Sequence, residues 1–169
     1  VYKTNFYGLK DQQLADNENS RLIKEGIAVN TTAFLDFSDP DKVKTLGNPT
    51  EAALLLWLNG QQANYQELRE NATVIDQLTF STERKYMATL VDSPVMGKKI
   101  LYVKGAPEII FAQCKNALID GELQPIANYK TTVENQLLEY QNQAMRTLGF
   151  AYQVIEDNES HFKDGRLYN

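Results

Sequence analysis

The sequence is poor in cysteine and histidine, with one residue of each among its 169. Cys114 alone excludes an internal disulfide, and Cys114 with His161 cannot supply a zinc site of the Cys/His type. We expect Cys114 to pack inside the domain and His161 to lie at its surface. The longest apolar run, residues 52–58, is far shorter than the ~20 residues that a membrane helix needs. No secretory signal pattern opens the sequence, so we expect a soluble domain that does not insert into a membrane.

Motifs for several common chemistries are also missing. The sequence has no Gly-x-Gly-x-x-Gly, no Gly-x-x-x-x-Gly-Lys-Ser/Thr and no calcium loop of the EF-hand type. The glycosylation sequons at Asn30 and Asn71 mean little without a secretion signal. We therefore predict neither a self-sufficient set of catalytic residues nor a metal site in this chain.

What the sequence does contain is an ordinary globular composition with an uneven distribution of charge. It is 43% apolar and 10% aromatic, and its net charge of −5 argues against nucleic acid or anionic lipid as a partner. Between Arg84 and Lys104, five bases accompany a single acid. A local positive surface on an acidic protein suits a small anionic ligand better than a polymer.

Apolar spacing and turn residues predict an α+β fold, a twisted antiparallel sheet flanked by helices. Helices are predicted over residues 20–34, 49–60, 65–70 and 129–145, with another beginning at Pro107. Strands are predicted over 1–7, 74–80, 85–91, 99–104 and 148–155, with a hairpin near 119–123 and a loop over 37–47. Short turns between neighbouring strands favour antiparallel pairing over a Rossmann sheet. Asn48, Pro49 and Glu51 form a capping-box pattern at one helix start.

Two features suggest a nucleotide site. Lys104 ends a strand, Gly105 follows it, and a helix begins at Pro107, which together predict a seat for an anion. Phe80 closes another strand before a polar turn, so its ring is expected to stay partly exposed and to offer a stacking face for a purine.

Four sequence segments carry a family resemblance. Gly-Asn-Pro-Thr-Glu at 47–51, Phe-Ser-Thr-Glu-Arg-Lys-Tyr-Met at 80–87, Lys-Gly-Ala-Pro-Glu at 104–108 and Arg-Thr-Leu at 146–148 occur in this order. Together they resemble the nucleotide-binding (N) domain of P-type cation-transporting ATPases, and they are most similar to those of calcium pumps.

The resemblance implies a role for each matched residue. Phe80 would stack on adenine, Lys104 would line the adenine end of the pocket, and Gly105 and Ala106 would form a close floor. Glu51 would meet the adenine amino edge, Lys85 would reach toward the phosphates, Arg146 would contact the ribose-phosphate side, and Leu148 would add an apolar wall. On this interpretation, Lys104→Glu is expected to abolish ATP binding with the fold intact.

The family's Asp-Lys-Thr-Gly-Thr phosphorylation motif is missing from the sequence. We therefore expect residues 1–169 to be a single nucleotide-binding domain excised from a larger membrane pump, binding ATP without hydrolysing it. The implied partners are ATP, with Mg²⁺ in the intact pump, and the phosphorylation, actuator and transmembrane domains of the same parent chain. The domain would lie on the cytoplasmic side of a plasma or inner membrane, with its two termini close together as adjacent strands.

Other interpretations remain open from the sequence. The chain could be a standalone module that senses ATP or ADP, or a docking domain whose basic strand pair, residues 84–104, binds an acidic protein. Individual residues also have plainer alternatives, since Glu51 could only cap its helix and Arg84 could only pair with Glu83 or another neighbour.

Overall fold

The computed structural model describes residues 13–39, 41–119, 121–156, 161–163 and 165–167. The strand predicted at 1–7, and with it the expected closeness of the termini, lies outside these residues. The described helices are α1 (Glu18–Val29), α2 (Pro49–Gly60), α3 (Tyr65–Asn71), α4 (Pro107–Gln113) and α5 (Lys130–Asn142), with a 3₁₀ turn at Ile126–Tyr129. The described strands are β1 (Phe34–Asp36), β2 (Lys44–Leu46), β3 (Thr73–Leu78), β4 (Tyr86–Ser93), β5 (Lys98–Gly105), β6 (Asn116–Ile119), β7 (Glu122–Pro125), β8 (Gly149–Ile155), β9 (Phe162–Lys163) and β10 (Arg166–Leu167).

The main sheet has four strands in the order β3-β4-β5-β8, and every neighbouring pair is antiparallel. Three small hairpins, β1–β2, β6–β7 and β9–β10, accompany it. The α+β class and the antiparallel sheet with flanking helices are thus confirmed.

Helix α1 packs on one face of the main sheet. Side chains alternate between the two faces of a strand, so Val91, Ile100 and Tyr102 point together toward the helix. They form a core with Leu22 and Val29. The helix lies close because Gly26 faces the Tyr102 ring, where an added Cβ would lie 2.8 Å from Cδ1.

The opposite face of the sheet carries a separate apolar cluster. Ala88, Leu90 and Leu101 are buried there, and two side chains of the β9–β10 hairpin, Phe162 and Leu167, pack against them. The hairpin therefore covers part of this second face.

A further core joins α1, α2, α3 and β1 beside the main sheet. Its fully buried members include Ala28, Leu55 and Leu58, and the hydroxyl of Tyr65 accepts a hydrogen bond from the Leu35 amide at 3.0 Å. This core fixes the start of α2 near the end of α1, which matters for the site described below.

Most element predictions agree with the structure to within a few residues, and the hairpin near 119–123 is present as β6–β7. Two predictions were wrong. The helix predicted over 20–34 ends at Val29, and Phe34 begins strand β1. Residues 37–47 are not loop throughout, because β2 pairs with β1. Lys44 lies opposite Asp36 in that pair, and all three β2 residues are exposed, so the strand lacks the apolar alternation that would have indicated it. Among the described residues, no helix combines the length and the apolar character needed to cross a bilayer.

Candidate functional site

A buried ion pair links two of the predicted site residues. Lys104, near the end of β5, places its Nζ 2.9 Å from Oε1 of Glu51, in the first turn of α2. The two side chains are only 6% and 8% exposed. Residues 53 positions apart in the sequence are thus joined where the third core meets the main sheet.

The start of α2 differs from the predicted capping box. Asn48 does cap the helix, its Oδ1 accepting from the Thr50 and Glu51 amides at 2.9 and 3.3 Å, and Pro49 takes the first helical position. The Glu51 carboxylate, however, turns away from Asn48. Its Oε2 accepts from the Thr32 amide at 2.8 Å and from the hydroxyls of Thr31 and Thr32, both at 3.0 Å. The carboxylate therefore holds the turn after α1 in place.

Burial and charge act in opposite senses on the Glu51 carboxyl. Burial raises the pKa of Glu51, but the Lys104 charge and the hydrogen bonds from Thr32 and Thr31 outweigh it, so its pKa lies below the ordinary value. Burial lowers the pKa of the Lys104 ammonium, and the Glu51 carboxylate opposes that change. The carboxylate is consequently ionised at neutral pH.

The ammonium of Lys104 is held by the protein itself. Besides Glu51, it donates to the backbone oxygen of Asn30. At the predicted anion seat, the Lys104 ammonium is therefore already paired within the protein. Lys104→Glu would place a second carboxylate against Glu51 in a buried position, which contradicts the expectation that this change leaves the fold intact.

Gly105 brings β5 against the backbone of Lys85. A Cβ on Gly105 would lie 2.3 Å from the Lys85 oxygen and 2.7 Å from Tyr86 Cβ, so only glycine fits. The next amide, Ala106, donates to the same Lys85 oxygen at 2.9 Å. The close approach predicted at this glycine is made by the chain itself, and it fixes Lys85, which has a positive φ of 60° and an exposed side chain.

Phe80 lies just beyond β3, in the loop of residues 79–85 that leads into β4. Its side chain is 49% exposed, as the sequence predicted for a stacking face. Ser81 and Lys85 close the loop through a backbone hydrogen bond of 2.8 Å. Leu78 pairs with Ala88, and Met87 pairs with Lys104. Phe80 therefore leaves the sheet at the same end of the strands as Lys104.

Arg146 and Leu148 lie at the same end of the sheet, just before β8. Arg146 Nη1 donates to the Thr50 hydroxyl at 3.2 Å, one residue before Glu51. Leu148 immediately precedes Gly149, which pairs with Gly105 at the same end of the sheet.

All eight predicted site residues are therefore brought to the same end of the main sheet. They are Glu51, Phe80, Lys85, Lys104, Gly105, Ala106, Arg146 and Leu148. Direct contacts connect them: Arg146 to the first turn of α2, Glu51 to Lys104, Gly105 and Ala106 to Lys85, and Lys85 through Ser81 to the Phe80 loop.

Sequence reasoning missed the residues after α1 that bind the Glu51–Lys104 pair. Asn30 caps α1, accepts from the Thr89 hydroxyl at 2.9 Å, and contacts Lys104. Thr31 and Thr32 hold Glu51. The only signal was the Asn-Thr-Thr run after an apolar helix, which the sequon pattern obscured.

The basic window does not form one surface. Lys98 and Lys104 lie at opposite ends of β5, about 20 Å apart at the usual rise per residue. Lys98 contacts Glu156 at 3.4 Å, while Lys104 is buried against Glu51. The docking interpretation, which needs the charges of 84–104 together, loses its geometric basis. Arg84 does not pair with Glu83; it donates to the Thr79 oxygen.

Within the part of the chain that the structure describes, no three potential metal ligands of the His, Cys, Asp or Glu type lie together. Cys114 is half-buried at the end of α4, and burial raises the pKa of its thiol.

The fold and the site together define a class of protein. A family model described as P-type ATPase, cytoplasmic domain N, matches residues 18–168. The chain therefore belongs to this family of N domains, and the resemblance predicted from the four motifs is confirmed.

Individual relatives are calcium pumps by name. The chain is 33% identical over 144 residues to the calcium-transporting ATPase PAT1 of Dictyostelium discoideum, covering 85% of this chain and 13% of the relative. It is 33% identical over 128 residues to calcium-transporting ATPase 1 of Lactococcus lactis, covering 74% and 14%. It is 31% identical over 153 residues to plasma membrane calcium-transporting ATPase 4 of Bos taurus, covering 82% and 12%. The chain thus spans a small part of the length of each relative.

Proposed function

We propose that this chain binds ATP at the end of the main sheet where Phe80 and the Glu51–Lys104 pair lie. The observations that carry the proposal are a half-exposed aromatic ring and a buried Glu51–Lys104 ion pair at the same end of the main sheet. Aromatic rings stack on any nucleobase, and each such contact contributes about 1–3 kcal/mol. The ring supplies affinity, and the polar groups supply orientation.

The other predicted residues take roles that follow from their positions. Glu51 and Lys104 form the adenine end, where their mutual pairing fixes both side chains for contact with the base. Gly105 and Ala106 form the floor, and Leu148 forms an apolar wall. Lys85, which is exposed on the loop, and Arg146, at the start of α2, are the cations within reach of the ribose and phosphates.

In the parent protein, we propose that the domain presents the γ-phosphate of ATP to a separate phosphorylation domain of an ATP-driven calcium transporter. Phosphoryl transfer depends on positioning and charge stabilisation, so a domain that holds the adenine end serves as the handle. Mg²⁺ would accompany the phosphates, and actuator and transmembrane domains would complete the pump. On this proposal, the chain lies on the cytoplasmic side of the membrane across which the pump moves calcium.

A nitrogen–proton correlation NMR titration with MgATP tests ATP binding. We expect saturable shifts at the amides of Glu51, Phe80, Lys104 and Gly105, with weak affinity because much of the natural site lies on another domain. Shifts confined to a different surface, or none at millimolar MgATP, would overturn the proposal. MgADP in a parallel titration distinguishes a base-and-ribose handle, which binds both nucleotides similarly, from a site that depends on the γ-phosphate.

A further inference from the structure

The β9–β10 hairpin contacts the nucleotide loop, defined here as residues 79–85, and also contacts Tyr86, the residue that follows the loop. Arg166 Nη2 lies 2.9 Å from Oε1 of Glu83, which is inside the loop. The Leu167 amide donates to the Tyr86 hydroxyl at 3.0 Å, immediately after the loop. Tyr86 is buried, and Leu167 also packs against the apolar cluster under β4. The hairpin is thus anchored in the core on one side and bonded to the loop on the other.

The loop itself is a single compact unit. The Arg84 amide donates to the Ser81 hydroxyl at 3.1 Å, the Lys85 amide donates to the Ser81 oxygen at 2.8 Å, and the Arg84 guanidinium donates to the Thr79 oxygen. A displacement of Glu83 therefore carries the neighbouring loop residues toward β3, including Phe80.

The strand that leads into the loop gives it little support. Among the described residues, β3 pairs with β4 alone, and its first four residues are exposed. On the far side, β4 and Gly105 fix Lys85. Phe80, at the β3 end, depends on the loop's own hydrogen bonds and on whatever holds Glu83.

We infer that the β9–β10 hairpin positions the nucleotide loop, with Arg166 and Tyr86 acting as positioning residues for the Phe80 ring. This inference rests on the proposed ATP site and identifies what preorganises it. Holding a binding loop in its bound conformation raises affinity by removing the cost of ordering it. The affinity for nucleotide therefore depends on residues that do not touch it.

The test measures the dissociation constant for MgATP by calorimetry or NMR and the urea unfolding midpoint in parallel. The variants are Arg166→Ala, Glu83→Ala, their double variant, and Tyr86→Phe, which removes the hydroxyl and keeps the ring. Arg21→Ala is the matched control, because Arg21 on α1 forms a similarly exposed pair with Asp16 at 2.8 Å. The charge-swapped protein, Glu83→Arg with Arg166→Glu, tests for rescue.

We expect Arg166→Ala, Glu83→Ala and Tyr86→Phe each to weaken MgATP binding about two- to fivefold, the range of an exposed ion pair or a single hydrogen bond. The double variant should be no weaker than either single variant, the charge swap should recover affinity, and Arg21→Ala should bind as the unsubstituted protein does. Affinity that stays unchanged while the unsubstituted protein binds ATP would overturn the positioning role. Absence of binding in the unsubstituted protein would instead overturn the proposed ATP site.

Discussion

At the scale of single residues, the costly feature of this protein is the burial of an ammonium beside a carboxylate. Taking both charges out of water costs several kcal/mol per ion, and their attraction offsets this only when hydrogen bonds satisfy the rest of each group. Glu51 meets that condition through Thr31 and Thr32, and Lys104 meets it through Asn30. Such a pair contributes little net stability, so its value lies in fixing the geometry of the site.

Removing one member of the pair exposes this cost. We expect Lys104→Met to lower the free energy of unfolding by about 3–5 kcal/mol, because it leaves the Glu51 carboxylate buried without its cation. The double variant Glu51→Gln with Lys104→Met should lose about 1–3 kcal/mol less unfolding free energy than the sum of the losses in the two single variants. Urea unfolding of the four proteins gives this coupling, and purely additive losses would show that the pair is not coupled.

The pH dependence follows from the direction of the Glu51 shift. Its pKa in the folded protein lies below its ordinary value of 4.5, so the unfolded chain takes up the proton first as the pH falls. The stability that Glu51 contributes is present above about pH 4.5 and is lost as the pH falls through the folded pKa. Urea unfolding between pH 3 and 6, roughly the range of carboxyl titration, should show a steeper loss in the unsubstituted protein than in Glu51→Gln. Parallel curves would assign the acid sensitivity to other carboxylates.

Phe80 separates binding from folding more cleanly. Because its side chain is 49% exposed, Phe80→Ala should change the free energy of unfolding little. It should weaken MgATP binding by about 5- to 150-fold, the equivalent of one lost stacking contact. Phe37→Ala is the control, since Phe37 is 47% exposed and lies away from the site, in the β1–β2 connection. Equal effects of the two changes on the dissociation constant would argue against stacking on Phe80.

At the scale of elements, the start of α2 does two things at once. Asn48 caps the helix and so fixes the direction in which Glu51 leaves it. Asn64 caps α3 in the same way, accepting from the Gln66 and Glu67 amides at 3.0 and 3.3 Å.

This duplication supplies a comparison. Asn48→Ala and Asn64→Ala should each cost about 1 kcal/mol of stability through the lost cap. Only Asn48→Ala should also weaken MgATP binding, because only α2 carries a site residue. The measurements are urea unfolding and nucleotide titration of both variants, and equal nucleotide affinity would show that the cap does not orient Glu51.

The elements themselves were largely predictable from local patterns. The Asn-Pro start of α2, the period-two runs of β4 and β5, and the Pro107 start of α4 are signals confined to a few adjacent residues. β2 was missed because its three residues are all exposed and form no apolar pattern. The Glu51–Lys104 pair was not predictable from spacing, because only the assembled fold brings together two residues 53 positions apart. Family motifs identified both residues without indicating that they would satisfy each other.

At the scale of the whole molecule, the proposed nucleotide site occurs in a sequence that lacks the phosphorylation motif of the family. The Asp-Lys-Thr-Gly-Thr motif is absent from the sequence, so we expect this chain to release phosphate from MgATP no faster than the buffer does. A phosphate-release assay checks this. Turnover that saturates with ATP and disappears in Phe80→Ala would contradict the assignment of the chemistry to another domain.

The central claim is that the Phe80 ring stacks on adenine at this end of the main sheet. The most direct measurement is the nuclear Overhauser effect between the adenine H2 and H8 protons and protein side chains in the MgATP-bound state. We predict contacts from adenine to the Phe80 ring protons, and to the side chains of Lys104 and Leu148. Bound ATP whose adenine contacts a different aromatic ring, with none to Phe80, would contradict the claim.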